Sequence, residues 1–221
     1  MFMRDDEMYN ANVGVFYDAP GVKHEDYYSF LLLKHMIGNY DISYHAAHLN
    51  SMNKQYNATH NLLGDLVDVT KQNCHYFAYS DCGLWGSYLF GNEVFVRQMN
   101  WVGLAAPTFY SDFVSEVEVV RARNDLWNDL MKENSPQEAN VEIGRQILQV
   151  GRRVTRSEIA KRMSHMDAHF IRGLCYEWFY DSEPSFTNWG PIENTASYGS
   201  YKYFKVNTMT TVSNTHHTLF T

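Results

Sequence analysis

Cysteine is scarce: Cys74, Cys82 and Cys175 are the whole supply in 221 residues. Three cysteines cannot all pair within one chain, and none of their spacings makes a Cys-x-x-Cys motif. A disulfide framework and a cysteine-based zinc site are therefore excluded, and a reducing compartment is expected. Positive charge is also in deficit, with 18 Lys and Arg against 25 Asp and Glu and a net charge of -7. That is the wrong sign for a protein held to nucleic acid by neutralising phosphates. Apolar runs are short; Leu31-Leu32-Leu33 falls far below the roughly 20 residues of a membrane-spanning helix. Met1-Phe2-Met3-Arg4-Asp5-Asp6-Glu7 is too polar for a signal peptide and too acidic for an organelle presequence. Catalytic signatures are missing too: no G-x-S-x-G, Walker A or G-x-G-x-x-G, and neither H-E-x-x-H nor its inverse H-x-x-E-H.

Large packing groups are abundant, with 16 Tyr, 13 Phe and 5 Trp. A chain of this length and composition can bury about 70% of its unfolded surface in one core. Val13 and Val15 alternate with small or polar residues, which predicts a strand over Ala11 to Tyr17, and Asp18-Ala-Pro-Gly21 predicts a tight exit. Acidic Glu25 and Asp26 open an amphipathic helix through Tyr28, Leu31, Leu32 and Ile37, with Gly38 at the position where a helix can end in αL geometry. Residues 39 to 73 carry no long period and read as loop with short helical pieces. His75 to Tyr79 and Leu84 to Phe90 read as a hairpin turning at Ser80-Asp81-Cys82-Gly83.

Helices dominate the remainder of the chain. A short one is expected from Glu93 to Val102, then a long one with Phe113, Val117, Val120, Trp127 and Leu130 inward and Glu116, Glu118, Arg121, Arg123 and Asp125 outward. Ser135-Pro136-Gln137-Glu138 is a capping box for a helix ending at Gly151, and Thr155-Arg156-Ser157-Glu158 is a second box, opening a helix with Ile159, Met163 and Met166 inward. Asp167 caps another through Phe170, Leu174 and Trp178; Pro184 stops it, and Ser185 to Trp189 is a last strand. Strands and helices that do not alternate regularly indicate an α+β fold. Residues 8 to 193 then form one domain, with no internal repeat or low-complexity linker.

Few residues suggest chemistry. His45 and His48 could share one helix face as metal ligands, but no acidic third ligand or base lies between them, and surface or loop histidines are the simpler reading. His216-His217 carries still less. Cys82 in Asp81-Cys82-Gly83 lacks a histidine partner, so a hairpin cysteine is the simpler reading of a possible reactive thiol. Asn57-Ala58-Thr59 matches a glycosylation sequon without meaning in a reducing compartment. Arg152-Arg153 could bind carboxylates, or could complement the dipole of the preceding helix.

Several stretches, in order, resemble the C-terminal half of the M16 metallopeptidase family, in the branch that holds the β subunit of mitochondrial processing peptidase and core protein 1 of the cytochrome bc1 complex. They are Val13 to Gly21 with Asp26-Tyr27-Tyr28, Tyr79 to Gly86, Arg121-Ala-Arg-Asn124, Glu142 to Leu148 leading into Gly151-Arg-Arg153, Trp178 to Asp181, and Gly190 to Glu193. The resemblance covers residues 11 to 193, leaving 1–10 as an N-terminal extension and 194–221 as a C-terminal tail. It implies a mixed, largely antiparallel sheet with helices packed on one face. In peptide-cleaving members the zinc ligands and catalytic glutamate lie in the other half, on the inverted motif absent here, so the resemblance implies a chain that is not itself an enzyme, with no cofactor, metal or catalytic residue of its own.

The expected role is a non-catalytic structural subunit of the respiratory bc1 complex (complex III), on the matrix side of the mitochondrial inner membrane and without a direct membrane span. Half of a processing peptidase that cleaves presequences is the alternative. The partners implied are an M16 N-terminal-half polypeptide, a core protein 2 or MPPα-like subunit and other complex III subunits, with no nucleic acid. Arg152, Arg153, Tyr201, Tyr203 and Phe204 are the candidate subunit or substrate contacts, the last three as a tail docked on a neighbouring subunit.

Overall fold

Alternation along one long strand decides how the chain is layered. Val13, Val15 and Tyr17 are buried, while Asn12, Phe16 and Asp18 on the alternate positions are not. This two-residue period turns one face of the strand to a core and leaves the other outward. The computed structural model describes residues 1–41, 69–132 and 135–201. Their strands are β1 (Phe2–Arg4), β2 (Asn10–Pro20), β3 (Asn39–Asp41), β4 (Val69–Ala78), β5 (Cys82–Asn92) and β6 (Ser185–Gly190). They form one sheet in the order β1-β6-β2-β5-β4-β3, parallel between β1 and β6 and antiparallel elsewhere. The helices are α1 (Tyr27–Ile37), a 3-10 turn (Glu93–Phe95) running into α2 (Val96–Phe109), α3 (Glu116–Met131), α4 (Pro136–Val150), α5 (Arg156–Ser164) and α6 (Ala168–Phe179). The mixed, largely antiparallel sheet with helices to one side is the α+β architecture expected.

Pairing lengthens the strands beyond their local signals. β2 runs through the expected Asp18-Ala-Pro-Gly21 exit to Pro20, because β5 pairs with it along its whole length, Asn10 opposite Asn92 through Pro20 opposite Cys82. Pro20 has no N–H to give the ladder, and its carbonyl accepts from the Tyr76 hydroxyl at 2.7 Å. β4 starts at Val69, six residues before the expected His75, and β3 pairs Asn39–Asp41 with it. The reading of 39–73 as loop is corrected at both ends, and 42–68 lie outside the described residues. β1 has no sequence signal of its own; its three residues are held by β6.

The buried face of the sheet is filled by aromatic rings. Phe179 of α6 meets Tyr17 of β2 edge-on at 5.0 Å and Trp85 of β5 at 5.0 Å, and Phe30 of α1 lies 5.7 Å from the same ring. Such pairs add about 0.5–1.5 kcal/mol each to their area burial. The Tyr17 hydroxyl satisfies itself by donating to the Leu104 carbonyl at 3.2 Å. α2 comes close to the sheet because Gly103 has no side chain: a Cβ there would meet Val15 Cγ2 at 2.7 Å. That contact lets α2 run to Phe109, past the expected end at Val102 and through Pro107.

One helix is rotated from its expected face. On α3 the buried residues are Val119, Ala122 and Leu126, with Trp127 and Leu130 half-buried, while Phe113, Val117 and Val120 are exposed. The helical period matches and the phase differs by about one residue, or 100°, because α3 packs on α1 and small Ala122 lets the helices approach. On α6, Ile171, Leu174, Cys175 and Phe179 face inward and Phe170 is exposed. α5 buries Ile159 and Met163, with Met166 just beyond its end, as expected. Gly38 does follow α1 with positive φ, but at ψ -161° rather than in αL, whereas Gly151 ends α4 in αL.

Close approach makes a testable contrast between two glycines. A Cβ on Gly86 would lie 2.1 Å from the Val15 carbonyl oxygen, whereas one on Gly173, inside α6, meets nothing within 4 Å. Gly86→Ala is expected to destabilise the chain by about 3 kcal/mol or to prevent folding, and Gly173→Ala to stabilise it by about 0.5–1 kcal/mol. Urea unfolding of both variants measures the pair, and a Gly86→Ala protein as stable as the parent would contradict the packing described.

Candidate docking surface

The strand registers fix which residues share the uncovered face of the sheet. Asn12 of β2 stands between Trp189 of β6 and Phe90 of β5, and the next row holds Thr187, Gly14 and Tyr88. Then come Ser185, Phe16 and Gly86, with His75 of β4 beyond, and finally Asp18, Leu84 and Phe77. The face mixes exposed rings with polar groups: Phe77 and Trp189 remain 47% and 48% exposed, Leu84 and Tyr88 are also exposed, and the first row ends in an ion pair between Lys71 of β4 and Asp41 of β3 at 3.1 Å. Among the described residues α1, α2 and α6 pack on the opposite side of β2, β4 and β5, where Val13, Val15, Tyr17, Trp85 and Leu89 are buried. Exposed apolar surface of this kind, contiguous rather than scattered, marks an interaction site.

The surface is locally ordered. The Phe16 ring lies across its neighbours Gly14 and Gly86, where added Cβ atoms would come within 3.0 and 2.8 Å of ring carbons. The Tyr88 hydroxyl hydrogen-bonds the Asn12 side chain, whose Nδ2 donates to the Trp189 carbonyl at 3.4 Å. His75 stacks on Phe77 at 5.6 Å. These contacts present the aromatic rings on a sheet whose backbone is already paired.

Arg152, one of the sequence-selected contacts, is engaged within the chain. Its guanidinium donates to both Glu158 oxygens, at 2.7 and 2.6 Å, and Arg162 donates to the same carboxylate at 2.8 Å. The expected second capping box is therefore only half formed. The Thr155 hydroxyl accepts from the Glu158 N–H at 3.3 Å, but the Glu158 carboxylate turns to the two arginines instead of back to the cap. The box at Ser135 and Glu138 is complete, as is an unforeseen one at Ser115 and Glu118. Arg153 is exposed.

Tyr201 is only 4% exposed and stacks on Phe186 of β6 at 4.9 Å, so its ring belongs to the chain's own core. Tyr203, Phe204 and His216-His217 lie outside the described residues, as do His45, His48 and Asn57. Cys82 opens β5, exposed; partial desolvation and the neighbouring Asp81 carboxylate hold its thiol above the usual range, the opposite of an activated nucleophile. Among the described residues no group of three His, Cys, Asp or Glu could hold a metal ion, and no helix is long and apolar enough to cross a membrane. Sequence reasoning did not single out the open sheet face. Its signal was there in Leu84, Tyr88 and Phe90, apolar residues on the face of β5 opposite Trp85 and Leu89.

No family model matches the chain. Cytochrome b-c1 complex subunit 1 of Bos taurus is 30% identical over 203 residues, 88% of this chain and 40% of that protein. Mitochondrial-processing peptidase subunit beta of Rattus norvegicus is 31% identical over 205 residues, 86% of this chain and 38% of that protein. The matches thus span about two fifths of the relatives' length. Among solved structures, a chain of complex III2 from Candida albicans has the same fold, with a TM-score of 0.80 over 93% of this chain and 48% of that one, at 20% identity.

The Glu158 triad has a pH signature. Hydrogen bonds from Arg152, joined by those from Arg162, hold its carboxyl at about 2, against an ordinary 4.5. A carboxyl depressed on folding contributes stability above its unfolded value, and that contribution is lost as pH falls from about 4.5 to about 2. Glu158→Gln is expected to flatten acid unfolding in that window and to leave a smaller salt effect. Circular dichroism during acid titration reads it; superimposed profiles would mean the triad does not persist in solution.

Proposed function

We infer, from the kinship of this chain with the M16 metallopeptidase family, that it is a non-catalytic structural core subunit of the mitochondrial cytochrome bc1 complex. It corresponds to the C-terminal half of a core 1-type protein and sits on the matrix side of the inner membrane. The observation that carries this reading is the sheet face with exposed Phe77, Leu84, Tyr88 and Trp189. An M16-type half whose described helices all lie to one side of its sheet is a part that is completed by contact, and permanent interfaces of this kind bury about 2,000 Å² or more. The occupants proposed are an M16 N-terminal-type half and, beyond it, a core protein 2-like subunit. No H-x-x-E-H sequence occurs in the 221 residues, so any peptidase chemistry in the assembly would come from zinc ligands outside them. Residues 11–193 are the M16 unit in this reading, and the segment 194–221, with Tyr203 and Phe204, anchors on a neighbouring subunit. Arg153, exposed beside the Arg152 ion pair, is a further contact.

Affinity purification of the tagged chain tests the assignment. Recovery with cytochromes b and c1, stable in high salt, is expected. A double variant, Leu84→Glu with Trp189→Asp, should fold normally and recover less than about a tenth of the complex, because it places charge in an apolar interface. Isolation instead as a soluble pair that cleaves presequences would replace this reading with the processing-peptidase half.

A further inference from the structure

Charge is distributed unevenly along the chain. Six of the 18 Lys and Arg, but only Glu158 of the 25 acidic residues, lie between positions 145 and 162, leaving 12 basic against 24 acidic residues elsewhere. This basic segment borders a groove of about 580 Å³ between α4 and the ends of α1 and β4. Tyr27 and Tyr76 supply its aromatic side; their rings lie 5.8 Å apart, and the Tyr76 hydroxyl is fixed by donation to the Pro20 carbonyl at 2.7 Å. Arg145, Arg152 and Arg162 supply the polar side. Arg145 is paired with Glu142, while Arg152 and Arg162 share Glu158, so three guanidinium groups meet two carboxylates. α4 itself has no buried residue, and Leu148 on it is 86% exposed.

We propose that this groove binds an acidic peptide segment that places one apolar or aromatic side chain against Tyr27 and Tyr76 and carboxylates against the arginines. Guanidinium groups recognise carboxylates bidentately and retain donors after one ion pair, which suits a second anion. Local positive charge within an acidic chain steers an acidic partner to this place while the rest of the surface repels it. A concave site of this size takes a few side chains rather than a flat lipid surface. The chain's own residues 202–221 contain Lys202 and Lys205 and no Asp or Glu, the wrong charge for the occupant. The inference rests on the groove and is independent of the assembly reading.

Fluorescence anisotropy with the full 221-residue chain tests it, using a fluorescein-labelled acidic decapeptide of Asp and Glu with one Phe and one Leu. Saturable binding is expected, weakened about tenfold between about 50 and 300 mM salt. Arg145→Ala, and Tyr27→Ala with its native fold checked by circular dichroism, should each weaken it about fivefold. Arg156→Ala, in the same basic segment but outside the groove lining, should change it less than about twofold. The proposal is overturned by absence of binding, by equal binding of a decapeptide with Lys in place of the acids, or by an equal loss in Arg156→Ala. Capture by anionic phospholipid vesicles without peptide binding would overturn it in favour of a lipid headgroup.

Discussion

Contact between β2 and β5 at glycine is the constraint on which the rest of the molecule depends. Gly86 leaves room for the Val15 carbonyl and for the Phe16 ring, and Gly103 leaves room for Val15 itself under α2. With the backbone layers drawn this close, Tyr17, Trp85, Phe30 and Phe179 can meet as one aromatic cluster on the helix side. A Cβ at Gly86 would push β2 off β5 and loosen that cluster together with α2 and α6. Interiors packed to crystal-like density transmit such a displacement rather than absorbing it.

The same packing makes the sheet one-sided. All described helices that touch β2, β4 or β5 do so on the face that carries Val13, Val15 and Trp85. The reverse face keeps Phe77, Leu84, Tyr88 and Trp189 toward solvent, at a cost in exposed apolar area that a partner would offset. The chain is similar to bc1 subunit 1 and processing-peptidase β over about two fifths of their length.

Polar features sit at the helix ends. Thr155 caps α5 through its hydroxyl, Glu116 accepts from the Ala168 N–H to cap α6 from a distant helix at 3.0 Å, and Asp167 accepts from Phe170 at 2.7 Å. Glu158 is drawn out of its capping role by Arg152 and Arg162, and so ties the turn after α4 to the body of α5. A two-residue local motif yields here to a pair of charge-assisted bonds, which are about twice as strong as neutral ones.

Local signals in the sequence determined the alternation of β2, the hairpin of β4 and β5, the caps at Ser135, Thr155 and Asp167, the αL stop at Gly151 and the strand Ser185–Gly190, because each is set by neighbours within a few residues. The ordered M16-like segments added the one-sided architecture. Only the tertiary structure decided the full lengths of β2 and β4, the existence of β1, and the inward faces of α3 and α6. It also decided that Tyr201 belongs to the core. The physical reason is that strand ends and helix phase are set by which partner offers hydrogen bonds and space. Those partners lie tens to more than a hundred residues away in the chain.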